Sequence, residues 1–66
     1  MNSNQSSFLK GQVHVMKLRL AKAQRRIEKA GEEGNKVEEE RAHRLSKLIE
    51  LHEKQPEEAL LRYNKV

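Results

Sequence analysis

Apolar residues recur along this chain at helical intervals. Leu9, Val13, Met16, Leu20, Ala23, Ile27 and Ala30 follow a 4-3-4-3-4-3 spacing, which lines one side of a helix. The spacing predicts a first helix over about residues 8–30. Residues 1–7 read as a flexible polar tail, with Ser6 or Ser7 as the N-cap. Gly31 is placed to stop the helix, and Gly31-Glu32-Glu33-Gly34 reads as a turn over 31–34. Asn35 and Glu38 then form a capping-box pattern that opens a second helix over about 35–54. Pro56 ends that helix by pushing Gln55 out of the α region. It also suits the first position of a short third helix over about 56–64, with Glu57 and Glu58 in the opening turn. No segment alternates with period two for long enough to be a strand.

A short turn makes the helices it joins antiparallel neighbours. The expected fold class is therefore all-α: one domain (residues 8–66) built as an antiparallel two-helix hairpin with a short C-terminal third helix. A second-helix seam of Glu38, Ala42, Leu45, Ile49 and His52 meets the first when partner numbers sum to 65. The layers are then Ile27 with Glu38, Ala23 with Ala42, Leu20 with Leu45, Met16 with Ile49 and Val13 with His52. Flanking positions bring Lys10 near Glu53, and place Arg26 near Arg41 as opposed like charges. His52, on the seam, reads as a packed residue capped by solvent, and Ala59, Leu60, Leu61 and Tyr63 are placed to dock the third helix.

Val37, Leu48 and Leu51 lie beside this seam and give the second helix more apolar surface than one partner covers. Together with Leu60 and Leu61 they are the expected oligomer interface, and the chain is expected to dimerise into a helical bundle. Size points the same way. Sixty-six residues, with Phe8 and Tyr63 as the aromatics, leave a solitary copy only marginally stable.

Charge divides the chain unevenly. Residues 8–30 carry seven basic side chains against Glu28 alone, whereas residues 31–66 carry seven against nine acidic ones. Arg19, Lys22, Arg25, Arg26 and Lys29 fall opposite the first seam, and Phe8, Val15 and Leu18 share that arc one to three turns earlier. A basic run by itself is a solvated face; an apolar group beside it is a binding surface. These eight residues are the candidate contacts for an acidic protein surface with an apolar pocket. The alternative partner is RNA or DNA, held through phosphates by the same cations.

Two segments resemble known families. Ala23-Gln24-Arg25-Arg26-Ile27-Glu28-Lys29-Ala30 resembles the arginine-rich helix of phage N-type antitermination proteins, a resemblance that implies binding of hairpin RNA. Ser46 and Glu50 resemble the Ser-x-x-x-Asp motif of the two-helix phosphatases that dephosphorylate sporulation response regulators, with Glu in place of Asp. That resemblance implies, as a remote alternative, phosphatase activity.

Several classes of chemistry are not expected. The absence of cysteine removes disulfides, thiolate metal sites and a Cys nucleophile. His14, His43 and His52 lack metal-ligand spacing, and Gly31-x-x-Gly34 lacks the strand and lysine of a phosphate loop. Neither a metal nor another cofactor is expected, nor a pocket for a small molecule. No apolar run approaches the ~18 residues of a membrane span, and residues 1–10 have no secretory pattern. A cytoplasmic location and no membrane association are expected. The function expected is that of a non-enzymatic regulatory or inhibitory protein that acts by docking.

Overall fold

A computed structural model describes residues 2–30 and 35–64. The fold is all-helical: α1 spans Ser3–Ala30, α2 spans Asn35–Lys54 and α3 spans Pro56–Tyr63, with no strand among the described residues. The 31–34 turn, the Gly31 stop and the Asn35 side-chain cap lie outside the described residues.

Helix α1 begins five residues before the start expected at Phe8, so Ser3–Ser7 belongs to the helix. Asn2, not Ser6 or Ser7, is the cap. The backbone N–H of Gln5 donates to Asn2 Oδ1 at 2.9 Å, and the Asn2 N–H donates to Gln5 Oε1 at 3.1 Å. This reciprocal pair is a capping box in its Asn/Gln form, which satisfies two amides that a helix start otherwise leaves open. Ser6 instead donates its N–H to the Asn2 carbonyl at 3.0 Å, as an interior residue does.

The first seam faces inward. Leu9, Met16 and Ala23 are buried, and Val13, Leu20 and Ile27 half-buried. On α2, Ile49 and His52 are buried, and Glu38, Ala42 and Leu45 half-buried. α1 packs along α2, and α3 touches both. Across α1 and α2 the ion-paired residues run in opposite order, Lys17 with Glu53 at 3.3 Å and Arg26 with Glu38 at 3.9 Å.

Glu53 therefore meets Lys17, not the Lys10 expected from flanking positions. Side chains on a helix lean toward its N-terminus. Lys17 and Glu53 lean toward one another across the oppositely ordered helices, while Lys10 leans away. The expected clash of Arg26 with Arg41 is also resolved. Glu38 Oε1 lies between them, 3.9 Å from Arg26 and 3.6 Å from Arg41.

Gln55 (φ −131°, ψ 65°) breaks the helical path, and Pro56 starts α3, where its missing N–H costs nothing. Ala59 is completely buried and lets this short helix sit close. The molecule measures 44 × 20 × 19 Å, with a radius of gyration of 14.0 Å against about 11 Å for a compact chain of this length. Its 5419 Å² of surface compares with about 4,300 Å² for a compact 7.7 kDa chain.

The N-terminal cap is open to a direct check. Asn2→Ala should cost about 1 kcal/mol locally, and should speed amide exchange at Gln5 and Ser6 about fivefold. Unchanged exchange there would place the start of the helix elsewhere.

Candidate functional site

At the α3 end of the molecule, the Phe8 ring stands edge-on to Tyr63, centroids 4.9 Å apart at 90°. Tyr63 in turn sits 5.6 Å from the His52 ring at 75°. The buried His52 is capped by Tyr63, not by solvent: its Nε2 lies 2.6 Å from the Tyr63 hydroxyl, and its Nδ1 2.7 Å from the Leu48 carbonyl. A carbonyl only accepts, so Nδ1 donates to Leu48, and Nε2 shares the second hydrogen bond with the Tyr63 hydroxyl. This node ties the start of α1 and the end of α3 to α2. Phe8 is thus partly committed inside the chain, although 43% exposed.

The rest of the candidate face points outward. Val15 is 39% and Leu18 53% exposed, and Arg19, Lys22, Arg25, Arg26 and Lys29 are all exposed beyond them. Arg26 shares Glu38 with Arg41, which extends the basic face onto α2. Arg19, Lys22, Arg25 and Lys29 make no ion pair among the described residues. The residues expected at an oligomer interface separate into two groups. Val37 and Leu61 are exposed at 63% and 66%, whereas Leu48, Leu51 and Leu60 are half-buried.

Along one side of the α1–α2 seam, an open groove of about 540 Å³ runs between Leu9, Lys10, Val13, His14 and Lys17 of α1 and His52, Glu53 and Pro56. No feature of the sequence signals this groove. Ser46 and Glu50 are both exposed on α2, and the Glu50 carboxylate pairs with Lys54 at 3.2 Å. Among the described residues no group of three His, Asp or Glu side chains is placed to hold a metal ion, and no helix is long and apolar enough to cross a membrane.

The Tyr63–His52 bond and the Arg26–Glu38–Arg41 bridge were missed by sequence reasoning. The signal for the bridge was Glu38, a lone acid on the seam between two arginines. Nothing local signals the Tyr63 bond, which depends on how the chain turns at Gln55. Comparison with protein-family models, with curated proteins and with solved structures finds no match.

Replacing Tyr63 by Phe keeps the ring but leaves His52 Nε2 buried and unpaired, a loss of about 1–3 kcal/mol. Urea unfolding of wild type and Tyr63→Phe at one protein concentration measures it. An unchanged midpoint would mean that the bond contributes nothing.

Proposed function

We propose that this protein is a small non-enzymatic binding protein, regulatory or inhibitory, folded as an antiparallel helical hairpin that self-associates. It acts by docking the outward face of α1 onto an acidic protein surface. The observation that carries this reading is the juxtaposition on one helix face of exposed Val15 and Leu18 with Arg19, Lys22, Arg25 and Lys29, which lack internal counter-ions among the described residues. A solvated face needs no exposed leucine, and an apolar patch meant only for packing needs no uncompensated cations. Complementary charge speeds encounter, and desolvated apolar contacts hold the complex.

The Arg26–Glu38–Arg41 bridge favours a second reading, because it aligns arginines from two helices as a track for phosphates. Titration of salt against a hairpin RNA and a DNA duplex separates the two. Under the docking reading, both nucleic acids bind no more tightly than about 10⁻⁴ M at physiological salt. Micromolar binding with a steep salt slope, reduced by about 2 in Arg19→Gln/Arg26→Gln, would establish the second reading instead. A protein partner captured by wild type should associate several-fold more slowly with that double variant.

A further inference from the structure

Helix α1 carries a second heptad stripe on its solvent side. Gly11, Val15, Leu18, Lys22, Arg25 and Lys29 follow a 4-3-4-3-4 spacing, and all six are exposed. A side chain added at Gly11 would meet nothing within 4 Å, so no contact inside the chain calls for glycine there. Glycine weakens a helix interior relative to alanine, and its usual return is close approach by another backbone. The molecule also exposes about 1,100 Å² more than a compact chain of its mass, and a standard interface removes about 800 Å² from each partner.

We propose that a second copy of this chain packs its α1 antiparallel along this stripe. Charge decides the direction. A parallel pair would lay Lys22, Arg25 and Lys29 on their own copies, whereas an antiparallel pair sets each basic half toward the other's N-terminal half, whose stripe positions Gly11, Val15 and Leu18 are uncharged. The heptad register that brings the two apolar positions of the stripe together puts Val15 of one copy against Leu18 of the other, twice, at the centre. Gly11 then receives the aliphatic stem of the other copy's Lys22, and the exposed Phe8–Tyr63 pair faces its Arg25 guanidinium. Arg19, which makes no ion pair among the described residues, and the Glu38-bridged Arg26 and Arg41 remain on the flank, where an acidic partner can reach them. The dimer thus deepens, and rests on, the reading of this helix face as a binding surface, but moves self-association from α2 to α1.

Sedimentation equilibrium and spin-label distances test it. Wild type should sediment at twice 7.7 kDa, and Leu18→Asp as a monomer with its circular-dichroism helicity retained, because Leu18 is 53% exposed within one copy. The chain has no cysteine, so Lys29→Cys labels one site per copy. In the antiparallel register residue 29 of one copy lies level with residue 4 of the other, so the labels should be about 38 Å apart at ~1.5 Å per residue. A label distance under about 20 Å, the reach of neighbouring helices side by side, would overturn the direction. A wild-type monomer, or a dimer indifferent to Leu18→Asp, would overturn the interface. A monomeric wild type that still binds a protein through Arg19 and Arg26 would leave the docking reading standing.

Discussion

Burial is scarce in this molecule, and its architecture follows from that shortage. Among the described residues, those withdrawn from water are Leu9, Met16, Ala23, Ile49, His52 and Ala59, and two of the six are alanines. No large side chain among the described residues is completely buried. A core this thin holds only where backbones come close, which explains small residues at Ala23 and Ala59 and the elongated 44 Å shape. It also explains why polar contacts matter more here than in a larger domain, where apolar area alone would suffice.

The His52–Tyr63–Phe8 node shows how the shortage is offset. A short helix such as α3 has little intrinsic stability. One hydrogen bond between the Tyr63 hydroxyl and His52 and one edge-on contact with Phe8 fasten it to both longer helices. At the opposite end, Glu38 performs a similar task for Arg26 and Arg41, although its Oε2 is buried without a hydrogen-bond partner. Each end of the α1–α2 contact is closed by a polar group that reaches across helices.

The inward face of α1 was legible in the sequence because a heptad pattern is a local code, and Leu9, Val13, Met16, Leu20, Ala23 and Ile27 all turn inward. The cap was legible in principle, since Asn2 and Gln5 stand three apart, but a serine-rich start offers several competing caps. Lys17–Glu53 was not legible from residue numbering, because side-chain lean shifts a contact by a turn or more. In the candidate site the exposed basic run could be read directly. The half-committed state of Phe8 could not, because it depends on where α3 delivers Tyr63.

On this account, one helix performs three tasks: its inner stripe holds the fold, its outer stripe meets a second copy, and its flank presents arginines to a partner. The first and second are energetically linked, because a copy that buries too little alone gains stability from its neighbour by mass action. Thermal unfolding followed over a wide range of protein concentration tests that link most directly. The account predicts a melting midpoint that climbs steadily with concentration. A sharp cooperative transition at the same temperature throughout would contradict it.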